Sequence, residues 1–247
     1  MRAALESLLR ARKLDVTLTP AGAAADVLPP ERVAPTGVAA LDRALGGGLR
    51  RGHLSEIAGA ASTGRTRLLV QMLAAATARG EAVALVDATD VFDPACADAH
   101  GVALARLLWV RPPMGPDGDA SRALKACSLI LQAGGFGLVV FDAADLAPAR
   151  LRRFPATTWM RVARMVEGSD TVVLLVGAER LARSAGGVTI ALDSAAAAWQ
   201  GGSERARLFT GIAAAPRVVG PAAVRVRGSA GGGEASPEPR RGEGGRL

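Results

Sequence analysis

Eight residues, Gly59–Thr66, constrain the fold of this chain more than any other part of its sequence. They read G-x-x-x-x-G-R-T, the spacing of a phosphate-binding loop, except that Arg65 stands where such loops carry lysine. Residues 53–58 before the loop alternate like a strand, and apolar residues at helical spacing follow it up to Gly80. A strand, a glycine-rich loop and a helix in this order predict an α/β core whose backbone N–H groups can bind phosphate.

The same loop supplies most of a candidate nucleotide site. Thr66 can offer its hydroxyl to Mg²⁺, and Asp142 follows an apolar run at the position of a metal-side carboxylate. Arginine is long and forked where lysine is a compact charge, so Arg65 is not a conservative replacement. Thr66 and Asp142 are the predicted Mg²⁺ ligands if a nucleotide binds. The loop residues predicted to bind it are Gly59, Ser62, Thr63, Gly64, Arg65 and Thr66.

Strand-like and helix-like segments alternate through the rest of the chain. Further strands are predicted at residues 82–86, 107–110, 137–141, 171–176, 188–192 and 208–212, and weaker ones at 217–219 and 224–226. Further helices are predicted at 36–45, 93–99, 120–132 and 155–167. This alternation predicts an α/β fold with a mainly parallel sheet flanked by helices.

The two ends of the chain differ from this core. Residues 3–13 predict an amphipathic helix with Leu5, Leu8 and Leu9 on one face, followed by a segment rich in Ala, Gly and Pro. That face needs burial, either by folding back or, as we favour, by docking onto another subunit or partner. Residues 227–247 have too little apolar surface to fold and predict a disordered tail. The expected organisation is an arm at 1–32, a core at 33–226 and the tail at 227–247.

Composition narrows the possible partners and the compartment. The net charge is +7 and the pI about 10.9, which favours binding to polyanions, although a GC-rich coding bias explains the excess of arginine equally well. Tyrosine is absent and aromatic residues make up 3%, which argues against a single-strand binder based on stacking. No apolar run approaches the roughly 18 residues of a membrane span, and no apolar signal core is present. A cytoplasmic protein without membrane contact is expected.

In their order and spacing, these elements resemble the RecA/RadA recombinase family over about residues 33–220. The resemblance implies a RecA-like P-loop core, in which Asp93 lies at the adenine-side turn and Asp142 ends the Walker B strand. Asp93 therefore joins the predicted nucleotide-binding residues. The matching segments are Thr36–Gly37, Leu41–Leu49, Gly52, Glu56–Ile57, Gly59–Thr66, Val86–Asp90, Asp93–Pro94 and Leu138–Asp142.

Within that family, Arg180–Val188 and Leu208–Ile212 are similar to the ImuA subgroup, the RecA-like accessory proteins of bacterial inducible-mutagenesis cassettes. Proteins of that kind work with a catalytically inactive Y-family polymerase relative and an error-prone polymerase in translesion synthesis. The resemblance thus implies a role in the SOS response and DNA damage tolerance. Its partners would be single-stranded or damaged DNA and these polymerase components. RecA or a second copy of the chain could dock through Leu5, Leu8 and Leu9.

The resemblance also implies where DNA would bind. The family places one single-strand DNA loop after the Walker B strand and a second after the next core strand, and basic residues fall in both predicted loops. A solvated arginine surface is the alternative. The residues concerned are Arg150, Arg152, Arg153, Arg180 and Arg183.

Three departures from the family pattern fall in the nucleotide site. Arg65 replaces the lysine, Thr89 stands where recombinases carry the glutamate that orients water, and Gly177 lies near their γ-phosphate-sensing glutamine. Each removes a charge or hydrogen bond that phosphoryl transfer uses. The expectation is a degenerate site with no catalytic residues and no required cofactor, binding ATP and Mg²⁺ weakly at most. The alternatives are an active DNA-dependent ATPase and a protein-only inhibitor similar to cell-division inhibitors.

Overall fold

The computed structural model describes residues 29–111, 120–151, 153–182, 187–193, 195–214 and 216–220. The strands are β1 Val33–Ala34, β2 Leu49–Arg50, β3 Leu54–Gly59, β4 Val83–Asp87, β5 Leu107–Val110, β6 Leu138–Asp142, β7 Val172–Gly177, β8 Thr189–Leu192, β9 Ala195–Gln200, β10 Leu208–Ala214 and β11 Arg217–Val219. The α-helices are α1 Ala39–Ala44, α2 Arg65–Ala78, α3 Pro94–Ala99, α4 Ala120–Ala133, α5 Pro148–Leu151 and α6 Ala156–Val166.

Seven of these strands form the central sheet, in the order β11-β8-β3-β7-β6-β4-β5. Every neighbouring pair is parallel except β11 with β8. The inner strands β3, β4, β6 and β7 are buried almost throughout, which is why their sequences read as continuous apolar runs. The predicted α/β fold with a mainly parallel sheet is confirmed.

Helices cover both faces of this sheet and give it two apolar layers. On one face, α2 packs Leu69, Met72 and Leu73 against the strands. On the other face, α4 and α6 contribute Cys127 and Trp159 to a second buried cluster. The sheet is therefore covered on both sides, and the ends of its strands hold the loops that can form a site.

Three local features differ from the sequence prediction. The helix expected at 36–45 begins only at Ala39, because Gly37 has a φ of +82° and Thr36 bonds the Asp42 carboxylate from outside the helix. The segment after β6, predicted as a basic loop, contains the short helix α5, which begins at Pro148. Proline is well tolerated at the first position of a helix.

The third feature is β9, an alanine-rich strand that the sequence did not predict. It pairs antiparallel with β10 in a separate two-stranded sheet, where Trp199 lies opposite Phe209. The two rings meet edge to face at a centroid distance of 5.5 Å, and both side chains are about half exposed. Alanine favours helix, so this strand is set by its partner rather than by its own propensity.

Several predictions concern residues outside the described segments. They include the helix at 3–13 with Leu5, Leu8 and Leu9, the strand at 224–226 and the tail at 227–247. Two of the predicted DNA-contact residues, Arg152 and Arg183, also lie there. Within the described segments, none of the helices combines the length and the hydropathy needed to cross a membrane.

Candidate nucleotide site

The loop Gly59–Thr66 has the predicted strand-loop-helix geometry. β3 ends at Gly59, Gly64 takes a φ of +94°, and α2 begins at Arg65. A Cβ atom on Gly59 would lie 2.6 Å from Thr63 Oγ1 and 2.8 Å from Leu192 Cβ, so no larger residue fits there. This glycine is thus required by packing against β8 as well as by any approach of phosphate.

The loop is stabilised by its own side chains. The buried Thr63 donates its hydroxyl to the Ala60 carbonyl at 2.8 Å, closing the turn. Ser62 is exposed and has a positive φ of 63°, and Thr66 is exposed on the first turn of α2. Ser62 and Thr66 thus lie on the surface of the loop, and the Thr63 hydrogen bond stabilises the loop conformation.

Arg65 is turned away from solvent and bound by protein acceptors. Its guanidinium donates to the Ala144 carbonyl at 3.0 Å and lies 3.4 Å from the Asp145 carboxylate. Its side chain is only 8% exposed. We call this set, Arg65 with Ala144 and Asp145, the Arg65 clasp. It ties the start of α2 to the segment that follows β6.

Asp142 lies beside the clasp at the end of β6. Burial raises the pKa of its carboxyl to about 6, and the charges of Asp87 and Asp145 push it the same way. The backbone N–H of Ala144, which donates to Asp142 at 3.0 Å, and the charge of Arg65 lower the pKa. A carboxyl with a raised pKa is partly protonated near neutral pH and binds Mg²⁺ less well.

The neighbouring strand β4 ends in a second aspartate, which faces Asp142 in the sheet register. Asp87 is fully buried and accepts hydrogen bonds from Phe92 N at 2.8 Å and Trp109 Nε1 at 3.3 Å. It therefore organises the turn after β4. Thr89 in that turn has a buried hydroxyl with no hydrogen-bond partner among the described residues, and a hydroxyl cannot serve as a carboxylate base.

Two other residues of the predicted site have local structural roles. The Asp93 carboxylate accepts hydrogen bonds from its own helix, from Ala95 N at 2.9 Å and Cys96 N at 3.0 Å, so Asp93 is the N-cap of α3. Gly177 ends β7, where a Cβ would lie 2.9 Å from Leu181 Cδ1. A side chain at Gly177 would therefore require Leu181 to change its conformation, with the Glu179 carbonyl oxygen 3.0 Å from the added Cβ.

Sequence reasoning missed the role of a buried carboxylate, Glu56 on β3. It accepts hydrogen bonds from the backbone N–H groups of Leu181 and Ala182, each at 2.9 Å. The Thr189 hydroxyl donates to it at 2.7 Å, and Arg180 Nε lies 3.6 Å away. We call these residues the Glu56 clamp. The signal in the sequence was a single charge inside an apolar strand.

The basic residues predicted to bind DNA are placed differently from one another. Arg150 lies in α5, is partly buried and has an interaction within the protein. Arg153 is exposed in the following turn, and Arg180 is half exposed beside Glu56. In the segment after β6, Arg153 is therefore more exposed to solvent than Arg150.

The fit of these residues to Mg²⁺ is poor. The guanidinium of Arg65 lies on the Ala144 carbonyl and one oxygen of Asp145, two and three residues after Asp142 in the chain, and the described residues contain no group of three His, Cys, Asp or Glu side chains that could hold a metal. The loop itself keeps the backbone shape of a phosphate site. The start of α2 can therefore approach an anion, whereas the described Arg65, Thr89 and Gly177 do not offer the lysine, glutamate and glutamine of the family pattern.

Comparison with known proteins gives one family. The RecA N-terminal domain matches residues 25–151, a span that contains the loop, the Arg65 clasp and Asp142. Protein RecA of Methylococcus capsulatus is 42% identical over 118 residues, covering 47% of this chain and 33% of that protein. Protein RecA of Mycolicibacterium gilvum is 39% identical over 125 residues, covering 50% and 34%. The chain spans about a third of the length of these curated relatives.

A search of solved structures finds the crystal structure of the RadB recombinase. It has a TM-score of 0.47 and 21% sequence identity, and the match covers 58% of this chain and 69% of that one.

Proposed function

Because this chain belongs to the RecA N-terminal domain family, we propose that it is a RecA-fold accessory protein of DNA damage tolerance that binds DNA and protein partners without hydrolysing ATP. Its resemblance to the ImuA subgroup supports a place in translesion mutagenesis. In that role it contacts single-stranded or damaged DNA. Its protein partners are a Y-family polymerase-like protein, an error-prone polymerase and, through the arm, RecA or a second copy.

The observation that carries this proposal is the position of Arg65. In a working phosphate loop the basic residue reaches the outer phosphates, but here the guanidinium is buried against Ala144 and Asp145. The hydroxyl of Thr89 and the bare backbone of Gly177 offer no replacement for the missing glutamate and glutamine. ATP and Mg²⁺ are therefore not required, and the core at 33–226 acts as a binding scaffold.

The charge distribution supports DNA as a ligand. The chain carries a net charge of +7, and Arg153 is exposed in the segment after β6. Arg150 lies one turn earlier, and Arg180 lies at the start of the segment after β7, which is parallel to β6. The carboxyl ends of parallel strands share one edge of the sheet, so these arginines face the same end of the core. Contact there is with phosphates and largely independent of sequence.

Two measurements test the proposal on the full chain. A sensitive ATPase assay with and without single-stranded DNA should give the same background rate for the wild type and Asp142→Asn. Turnover that Asp142→Asn abolishes would establish the rival function, a DNA-dependent ATPase.

Binding to single-stranded DNA should weaken steeply with salt and fall about tenfold or more in the variant Arg150→Glu/Arg153→Glu. Arg32→Glu is the matched control, since Arg32 is exposed at the other end of the sheet. Unchanged affinity in the double variant would refute this DNA surface, and capture of a division protein without DNA binding would favour the inhibitor.

A further inference from the structure

We propose that Arg65 is a built-in cation that takes the electrostatic place of Mg²⁺ at this site, so that the protein excludes divalent metal from it. This inference deepens the proposed function at the same site and rests on it. It concerns the chemistry that the site can accept, whereas the proposed function concerns what the protein does.

The negative charge that needs compensation is set by the sheet. β4 and β6 are adjacent and end in register at Asp87 and Asp142. Asp145 follows three residues after Asp142, and its carboxylate is part of the Arg65 clasp. Three carboxylates at one sheet edge favour a cation among them.

Of the three carboxylates, Asp87 needs the least compensation by a cation, because its oxygens accept hydrogen bonds from the N–H groups of Thr89, Phe92 and Trp109. The remaining charge lies on Asp142 and Asp145. Arg65 is the cation placed there, with its guanidinium on Asp145 and on the carbonyl between the two aspartates.

The identity of the residue matters for this role. The guanidinium fork donates to two acceptors at once through Nη1 and Nη2. A lysine has a single charged nitrogen. Because this ammonium group is strongly hydrated, it favours an exposed position. Arginine in place of lysine at position 65 is therefore suited to act as a fixed internal cation, although it is less suited to bind phosphate.

The same geometry excludes the metal. Mg²⁺ requires nearly octahedral oxygen ligands at about 2.0–2.1 Å and gives up water reluctantly. Arg65, whose side chain is 8% exposed, donates to the Ala144 carbonyl at 3.0 Å and lies 3.4 Å from one oxygen of the Asp145 carboxylate. A divalent ion at Asp142 would lie next to this buried positive charge and be repelled by it.

The inference is tested by removing the guanidinium and measuring metal binding directly. Arg65→Met replaces the side chain by an uncharged one that can fill the space. Titration of the full chain with Mn²⁺, followed by electron paramagnetic resonance, and calorimetry of ATP with either Mg²⁺ or EDTA are the readouts. The wild-type protein should bind neither Mn²⁺ nor Mg²⁺ at this site. Arg65→Met should gain Mn²⁺ affinity at least tenfold, and Arg65→Met/Asp142→Asn should lose the gain.

The matched control is Arg111→Met, which removes a guanidinium bonded to Asp90 on the exposed surface after β5. It should gain no metal binding. If Arg65→Met does not fold by circular dichroism, Arg65→Gln is measured instead, since it also removes the guanidinium charge and should show the same gain in Mn²⁺ affinity. A folded variant without any gain, or Mg²⁺-dependent ATP binding by the wild type, would overturn the inference. Failure of the proposed function would instead appear as ATP turnover or loss of DNA binding.

Discussion

The Glu56 clamp and the Arg65 clasp are two buried charges on either side of the same loop, and they are satisfied to different degrees. Glu56 is 4% exposed and holds three neutral donors at 2.7–2.9 Å. Arg65 is 8% exposed and holds one carbonyl at 3.0 Å and, at 3.4 Å, an aspartate that is 53% exposed. The clamp has three short hydrogen bonds from neutral donors, with the half-exposed Arg180 at 3.6 Å, whereas the clasp has one hydrogen bond of 3.0 Å and a longer ion pair with a half-exposed aspartate.

This difference indicates which connection is fixed and which can be opened. The clamp joins β3 to the segment after β7 and to β8, so it fixes how the parallel strands are connected. The clasp joins α2 to the segment after β6 through one strong and one weak interaction. Variation at the clasp should therefore change the properties of the site more than the stability of the fold.

The largest expected effect is at the clamp. Glu56→Ala leaves two backbone N–H groups and a buried hydroxyl without their acceptor, so unfolding free energy should fall by roughly 3–5 kcal/mol. Urea denaturation at pH 7 measures it. Glu56→Gln retains an acceptor oxygen and should lose clearly less. Equal losses for both variants would show that the charge, rather than the hydrogen bonds, matters at this position.

The next largest effect is a pH dependence of stability that arises from Asp142, beside the Arg65 clasp. The pKa of Asp142 is raised by burial to about 6 from an ordinary value of 3.8, so the native state holds this proton more tightly than the unfolded chain. The contribution is present below about pH 4 and is lost as pH rises to 6, by about 3 kcal/mol in unfolding free energy. Asp142→Asn should remove this component from a denaturation series between pH 4 and 7, and an unchanged slope would contradict the raised pKa.

A smaller effect is expected when the clasp loses its arginine. Arg65→Met removes a hydrogen bond to a carbonyl and a weak ion pair but keeps apolar contacts, so unfolding free energy should fall by about 1–2 kcal/mol at pH 7. Because Arg65 lowers the pKa of Asp142, the pH-dependent component should grow in this variant. A loss as large as that of Glu56→Ala would erase the distinction between the two sites.

The smallest effect is expected at the exposed partner of the clasp. Asp145→Ala should cost less than about 1 kcal/mol, since Asp145 is half in water and its distance to Arg65 is long. Thermal unfolding at low and high salt measures it. A loss above about 2 kcal/mol would mean that Asp145, not Ala144, is the main anchor of the guanidinium.

The sequence predicted the parallel sheet and the strand-loop-helix at Gly59–Thr66, because these features follow from local periodicity and glycine spacing. It could not predict where Arg65 points, since its acceptor, the Ala144 carbonyl, lies 79 residues away in the chain. The role of Glu56 was missed for the same reason, as its donors lie 125 or more residues away. Local patterns specify elements, whereas these contacts exist only after the strands are ordered.

In the alanine-rich strand β9, the local sequence pattern points to the wrong secondary structure. Its local pattern favours helix, and the antiparallel pairing with β10 decides the outcome. The helix α5 was not predicted because the basic residues after β6 were interpreted as a loop. Pro148 is nevertheless typical of the first position of a helix.

The chain contains three tryptophans and no tyrosine, so its ultraviolet emission comes from indole alone. Trp159 packs between Phe141 and Phe154 in the interior, whereas Trp199 is 55% exposed on the β9–β10 hairpin. Acrylamide or iodide should quench the hairpin signal first and leave the blue-shifted interior signal. The native protein thus carries an unlabelled optical reporter in which the exposed hairpin indole is quenched before the interior one, with the partly buried Trp109 between them.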